Sequence, residues 1–326
     1  MTTALVAGAT GHVGSRLVGA LAERGVDVRA ISRNGGEGVT AGDVADRGAM
    51  LELLADVDAA YYLVHSLGLA GEFGEDERNA ATTFATAARD RGVGRLVYLG
   101  GIVHDDELSP HLASRREVGE ILRGSGIPTV EFRTSIVVGA GSASFELVRD
   151  LVDALPVLVG PDWLDNPAQP IGVDDVVAYL VAALDVPLEG SVVYEIGGAD
   201  RGTYRDLVDE IARGRGRSGV LASLPVRPLP LPASALPERL AELVPERARV
   251  AANLLESLRH GTAVEDDSAL RDFDVRPIGL REAVADALAG RYGTRRAPLK
   301  APKPEMLSIR TTEPVCGAST IWPLPM

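Results

Sequence analysis

Residues whose types and spacing could do chemistry are concentrated early in this 326-residue chain. Gly8-Ala9-Thr10-Gly11-His12-Val13-Gly14 follows the apolar run Ala4 to Ala7 and leads into a stretch with Val13, Leu17 and Leu21 on one face. Glycines at 8, 11 and 14 permit a tight turn, a close backbone approach to a pyrophosphate and packing of the next helix on its strand. The amides around Thr10, His12 and Val13 would then face the negative charge. A glycine-rich turn also occurs in α/β proteins that bind no nucleotide, so the string suggests a dinucleotide and no reaction. At the end of the second strand-like run, Ser32-Arg33-Asn34 stands where an Asp or Glu would favour NAD. Arg33 there suits the 2′-phosphate of NADP, or it is a solvated arginine. Asp43 and Val44 would lie under the adenine, or Asp43 or Asp46 caps the following helix. Val64, His65 and Ser66 close the run that begins at Ala59. At that edge His65 and Ser66 could reach a ribose or a substrate, or be a packed His beside a capping Ser.

Those residues need elements to hold them. Strand-like runs at 26–32, 59–65, 95–100 and 129–134 alternate with helical periodicity near 12–24, 47–54, 75–91 and 114–124. Such alternation predicts an α/β, Rossmann-like doubly wound parallel sheet, with its ligand in the crevice at the C-terminal edge. After residue 140 the regularity loosens into a helix near 144–153, the segment Gln169 to Ile171, a helix at 174–184 and a strand at 192–196. We expect a dinucleotide domain over 1–140 and a smaller, interleaved substrate-binding part over 141–293. Pro-rich 225–237 reads as a connector, helices follow near 236–259 and 279–290, and 294–326 reads as a flexible tail. Arg133-Thr134-Ser135 ends a strand at the nicotinamide face, where the Ser135 and Ile136 amides could hold the carboxamide. Gly101, Phe145, Trp163 and Gln169 are candidate pocket walls, each equally explicable as packing. In Gly139-Ala140-Gly141-Ser142-Ala143-Ser144, a serine capping the next helix is more economical than a second phosphate loop.

Bulk composition narrows the function classes. A net charge of -13 argues against nucleic acid and anionic membrane as partners. No apolar run reaches the roughly 18 residues of a membrane span, and no secretory leader is visible, so a cytoplasmic location is expected. Cys316 is the only cysteine, and no two of the five histidines have the close helical spacing of a metal motif; no metal is expected. Arg213, Arg215 and Arg217 read as a solvated Gly/Arg loop after a helix rather than as a phosphate site. The expected partner is a small-molecule substrate, with a homo-oligomer left open.

The glycine loop, Gly42-Asp43-Val44-Ala45-Asp46 and Val173-Asp174-Asp175-Val176 together resemble the atypical branch of the short-chain dehydrogenase/reductase superfamily over residues 3–290. More narrowly, Tyr61-Tyr62-Leu63-Val64-His65-Ser66, Tyr98-Leu99-Gly100-Gly101-Ile102, Leu108 to Arg115 and Gln169-Pro170-Ile171 resemble a bacterial NAD(P)H-binding group within it. That group is related to NmrA-like proteins and to the nucleotide-binding accessory subunit of respiratory complex I.

Reductases of that superfamily use a Tyr-x-x-x-Lys pair on the helix after the fifth strand, with a Ser on the strand. The ammonium lowers the phenol pKa and binds ribose, so that the phenol can exchange a proton with a carbonyl oxygen. This chain has lysine only at 300 and 303. His111 and Arg115 stand at the matching positions, and Gly100-Gly101 where the serine is expected. Arg115 could bind ribose as a permanent cation, and His111, with an ordinary pKa of about 6.5, could give the proton. Pro110 favours the first helical turn for His111, where it could instead face solvent. A complete cofactor site beside an apolar pocket leads to the expectation of an NADP(H)-dependent reductase, NAD(H) being less favoured, that acts on a small apolar molecule with a proton from His111, His65 or water. The alternative is a non-catalytic NAD(P)H-binding redox sensor or assembly protein, with a transiently oxidising isomerase as a third reading.

Overall fold

In the computed structural model, described here for residues 1–64, 73–104, 108–154, 162–217 and 259–291, the apolar run near the N-terminus is the centre of a seven-stranded parallel sheet. The first half alternates as β1 (Thr3–Ala7), α1 (His12–Glu23), β2 (Asp27–Ser32), β3 (Thr40–Ala41), α2 (Arg47–Leu53), β4 (Ala59–Tyr62), α3 (Phe73–Asp90), β5 (Arg95–Gly101), α4 (Pro110–Arg123) and β6 (Thr129–Thr134). The second half is more broken: β7 (Val137–Val138), α5 (Ala143–Ala154), a 3-10 turn at Asp162–Asp165, β8 (Pro167–Ala168), β9 (Ile171–Gly172), α6 (Val173–Ala182), β10 (Val192–Ile196), β11 (Gly202–Thr203) and α7 (Tyr204–Gly214). Two further helices follow, α8 (Ser268–Asp272) and α9 (Leu280–Leu288).

The sheet order is β10-β6-β5-β4-β1-β2-β3. The order reverses where β1 lies between β4 and β2, the switch point at which open α/β sheets take their ligands. Strands buried on both faces read as continuous apolar runs, because residues two apart share a face. Ala4, Val6, Tyr61, Val97 and Val130 meet Leu17 and Leu21 of α1 and Val176 and Leu180 of α6. Leu5, Ala7, Ala60, Tyr62 and Leu96 meet Met50 of α2, Phe84 of α3 and Leu122 of α4.

The chain returns to this sheet late. β10 lies parallel to β6, so an edge strand comes from beyond residue 141. Phe273, just past α8, meets Tyr194 edge-on at 5.0 Å and Phe132 at 5.4 Å, while the Tyr194 hydroxyl donates to Asp272 at 3.0 Å. Asp175 of the Val173-Asp174-Asp175-Val176 motif accepts the Ile278 amide at 3.0 Å, and Asp200 accepts that of Leu280 at 2.8 Å. A separate core of Phe145, Val152, Leu207, Ile211 and Val284 joins α5, α7 and α9.

The doubly wound parallel sheet agrees with expectation. The two-residue strands are too short to show alternation, and the helix expected before the arginine cluster is α7, whose start Thr203 and Asp206 fix with a capping box. Arg213 lies within α7 and pairs with Glu210, and Arg215 just after it pairs with Asp153 at 2.9 Å. The connector at 225–237, the helices expected near 236–259 and the tail at 294–326 lie outside the described residues. Among the described residues no helix is long and apolar enough to cross a membrane.

Candidate active site

The β1-to-α1 turn is fixed by backbone contacts. Gly8 has φ +88°, and a Cβ there would stand 2.6 Å from the Leu63 carbonyl oxygen, where β4 ends. A Cβ on Gly14 would lie 2.2 Å from the Gly8 oxygen. Both positions therefore exclude a side chain, and Gly11 closes the turn by donating its amide to Gly8 at 2.9 Å. The amides of His12, Val13 and Gly14 open α1 and have no acceptor within the helix.

His12 adds a side chain to this cradle. Arg16, one turn on, lies 3.1 Å from His12 Nδ1 and also donates to the Ala140 carbonyl at 3.2 Å. A guanidinium only donates, so Nδ1 accepts and the ring proton sits on Nε2. His12 Nε2 is buried without a hydrogen-bond partner, beside Gly139. Burial first, and the Arg16 charge second, lower the His12 pKa to about 4.

From the cradle a cavity of about 470 Å³ runs along the C-terminal edge of the sheet. Gly8, Gly11, His12, Val13, Gly14 and Val64 line one end; Gly101, His111, Arg115, Thr134, Ser135 and Ile136 line its middle. The far wall is Leu147, Val148 and Leu151 of α5 with Tyr204 and Thr262. A second recess, near Met1, Asp58, Arg95 and Leu184, opens at the N-terminal edge of the sheet, away from the crevice where α/β sheets bind ligands.

On α4, Ser109 caps the helix and Pro110 opens it, which leaves His111 in the first turn but facing the cavity. Burial, and then the charge of Arg115, lower its pKa to about 4. Burial thus favours the neutral imidazole at His111. Arg115 reaches back to donate to the Leu99 carbonyl, and its guanidinium lies 5.9 Å from the Tyr98 ring centre. The Tyr98 hydroxyl in turn donates to the Arg115 carbonyl at 3.0 Å. The strand end without a serine also has a physical reason at Gly100. A Cβ there would stand 3.2 Å from the Tyr98 ring and 3.4 Å from the Glu131 carboxylate. Glu131 is 1% exposed between Arg123, at 2.8 Å, and Arg133, at 2.7 Å.

The remaining expected residues are scattered. Arg33 is exposed just past the end of β2, outside the cavity lining. Asp43 accepts the Ala45 amide at 2.9 Å and Val44 is buried, while Asp46 caps α2. Thr10 is exposed on the loop. His65 and Ser66 lie outside the described residues. The Ser142 hydroxyl donates to the Val137 carbonyl at 2.8 Å, and Glu146 takes the Gly141 amide at 3.0 Å.

Three candidate pocket walls, Phe145, Trp163 and Gln169, are not among the residues that line this cavity. Phe145 is fully buried on the α7 side of α5, in the core with Leu207 and Ile211. Trp163 packs with Leu164 and Ala168. Gln169 is consumed as a backbone clamp, donating to the Gly198 carbonyl at 2.7 Å and accepting the Val264 amide at 3.2 Å. Leu147, Val148 and Leu151 take their place, because they lie on the cavity side of the helix that buries Phe145.

The sequence reading missed Tyr204 and Thr262. Thr262 Oγ1 lies 2.7 Å from Ser135 Oγ and 2.8 Å from the Tyr204 hydroxyl, which is also 3.0 Å from the His260 carbonyl. Burial raises the Tyr204 pKa, partly offset by the Thr262 hydrogen bond, to about 12. The capping box of α7 was a legible signal for the position of Tyr204; its pairing with a threonine 58 residues away was not.

Residues 1–227 match the model of the NmrA-like family. The chain belongs to the NmrA-like family. Among curated relatives of this family member is "Uncharacterized protein y4nG" of Sinorhizobium fredii, 25% identical over 71% of the chain. The match spans 65% of that relative's length, just under two thirds. A (4-alkanoyl-5-oxo-2,5-dihydrofuran-3-yl)methyl phosphate reductase of Streptomyces griseus is 29% identical over 65% of the chain and 74% of its own. A nucleoside-diphosphate-sugar epimerase from Staphylococcus aureus shares the fold with a TM-score of 0.69 at 17% identity, covering 87% of this chain and all of the other. The Bordetella bronchiseptica enzyme WbmH in complex with NAD+ does so with a TM-score of 0.64 at 19% identity, covering 89% of this chain and 98% of the other.

Proposed function

We propose that this NmrA-like protein is an NAD(P)H-dependent reductase of a small apolar molecule, with NADPH preferred over NADH. The observation that carries the reading is a cradle whose Gly8 and Gly14 admit no Cβ, opening directly into an apolar cavity at the switch point of the sheet. Relatives named as reductases and fold neighbours solved with NAD support it.

The residues present fit a dinucleotide. The amides that open α1 and the orphaned Nε2–H of His12 would donate to the pyrophosphate. Arg33 would meet the 2′-phosphate, with Asp43 and Val44 near the adenine. Val64, with His65 and Ser66 beyond it, would border the ribose, as would Arg115. Ser135 and Ile136 would hold the carboxamide. When bound, the reduced nicotinamide supplies a hydride. His111, neutral in this setting, can orient a polar group through a ring nitrogen but is a poor source of a proton at pH 7.

The test is NADPH consumption by wild type with a panel of ketones, quinones and activated alkenes, alongside NADPH affinity by titration. Micromolar binding with turnover of at least one class is expected. Equally tight binding with no turnover anywhere would replace the reductase by a non-catalytic NAD(P)H-binding protein.

A further inference from the structure

Resting on the reductase reading, we infer that Ser135, Thr262 and Tyr204 form a hydroxyl chain that receives the oxygen of a neutral ketone and delivers its proton, in place of a Tyr/Lys pair on α4. The three come from separate parts of the chain: the end of β6, the start of α7 and the segment before α8. All three line the cavity, each is less than a tenth exposed, and they are joined at 2.7 and 2.8 Å. Thr134, 7% exposed on the same wall, adds a buried hydroxyl with no protein partner. An unpaired buried hydroxyl costs stability unless a ligand pairs with it, so the wall holds unused hydrogen-bonding capacity.

The chain can run in either direction. A carbonyl only accepts, so with the Tyr204 O–H turned to His260, Thr262 donates to Tyr204 and Ser135 to Thr262. Ser135 then offers a lone pair, the partner an alcohol product needs. With all three hydroxyls rotated, Tyr204 donates to Thr262, Thr262 to Ser135, and Ser135 presents its proton to the cavity. That is the partner a ketone oxygen needs.

The reductant is the reduced nicotinamide dinucleotide, whose hydride adds to the carbonyl carbon as the π pair moves to oxygen. Ser135 Oγ gives its proton to that oxygen and takes one from Thr262, which takes one from Tyr204. The negative charge ends on the phenol, which regains a proton from water as product leaves. The direction is downhill, because even at about 12 the Tyr204 phenol is a stronger acid than an aliphatic alcohol. The rest of the wall defines the substrate class. Ile102, Ile136, Leu147, Val148 and Leu151 suit an alkyl body, and no carboxylate or lysine lies among the described lining residues.

The experiment uses the full chain with 2-octanone, carbonyl-labelled with carbon-13, and two readouts. Infrared spectroscopy of the ketone bound without nucleotide reports hydrogen bonding to its oxygen. Steady-state kinetics with NADPH report turnover. Wild type should shift the carbonyl stretch to lower frequency. Ser135→Ala should abolish the shift, whereas Thr262→Val, which leaves the Ser135 hydroxyl in place, and Thr262→Ser should both keep it, with kcat lowered in Thr262→Val alone. Tyr204→Phe, which preserves the buried ring, should lower kcat about 100-fold, the scale of a lost proton donor, with KM changed less than threefold. Far-UV circular dichroism identifies any variant that fails to fold, and Thr262→Ser then carries the comparison with wild type.

Failure of 2-octanone to bind, an unshifted stretch in wild type, or full kcat in both Thr262→Val and Tyr204→Phe would overturn the inference. A shifted stretch in wild type, lost in Ser135→Ala, but with no reduction of any carbonyl would instead remove the reductase reading and the proton transfer. The hydroxyl chain would then stand as a carbonyl-binding site alone.

Discussion

At the α1 end of the cavity, contacts are backbone on backbone: a Cβ on Gly14 would strike the Gly8 oxygen, and one on Gly8 the Leu63 oxygen. At the far end they are side chain on side chain, where Ser135, Thr262 and Tyr204 meet although the chain separates them by up to 127 residues. The near end depends on glycines within seven positions of each other and on the backbone of Leu63, and tolerates no side chain where these backbones touch. The far end depends on three hydroxyls whose backbones need only be held in place. The two ends are therefore built from different kinds of contact, and a substitution can disturb one without touching the other.

The largest effect should come from filling the near end. Gly14→Ala places a methyl on the Gly8 carbonyl, and Gly8→Ala adds left-handed strain to a similar overlap. Overpacking of this kind costs about 1–3 kcal/mol. Calorimetric titration should show NADPH affinity reduced at least about 100-fold in a protein that still unfolds cooperatively. Wild-type affinity in Gly14→Ala would mean that the turn has slack.

Next is the pH dependence of stability, which probes both walls through His12 and His111. Both titrate near 4 when folded against about 6.5 when unfolded, so between these values the unfolded chain binds more protons. Their contribution to stability is full above about 6.5 and is lost as pH falls towards 4. Tm measured across this range should decline on acidification, and His12→Gln combined with His111→Gln should flatten the decline. An unchanged slope in the double variant would assign the loss to other groups.

The smallest effect sharpens the near end alone. Arg33→Ala should weaken NADPH by roughly tenfold, the scale of one exposed charge-assisted hydrogen bond, and leave NADH unaffected. A preserved ratio of the two affinities would sink the 2′-phosphate assignment.

This contrast also explains what the sequence made legible. The glycine spacing, the Gly42 to Asp46 segment and the alternating periodicities are local patterns, and local patterns survive in a linear reading. The pocket walls did not. On α5, Phe145 and Leu147 look equally apolar, and which one faces the cavity depends on α7 and α9 covering the other side. Gln169 reads as a polar handle until the Val264 amide and the Gly198 carbonyl occupy it. His111 and Arg115 were identifiable as a pair, but the depressed pKa of the first and the capture of the second by the Leu99 carbonyl follow from burial that spacing alone does not encode.

Isotope transfer tests whether the cradle holds a reduced nicotinamide beside a cavity that receives a carbonyl compound. Wild type would be incubated with NADPH deuterated at C4, in separate samples of each face, and with 2-octanone, and the product analysed by mass spectrometry. The product should be 2-octanol carrying deuterium at C2 from one face only. Tight NADPH and 2-octanone binding with no deuterium in the alcohol from either face would contradict it.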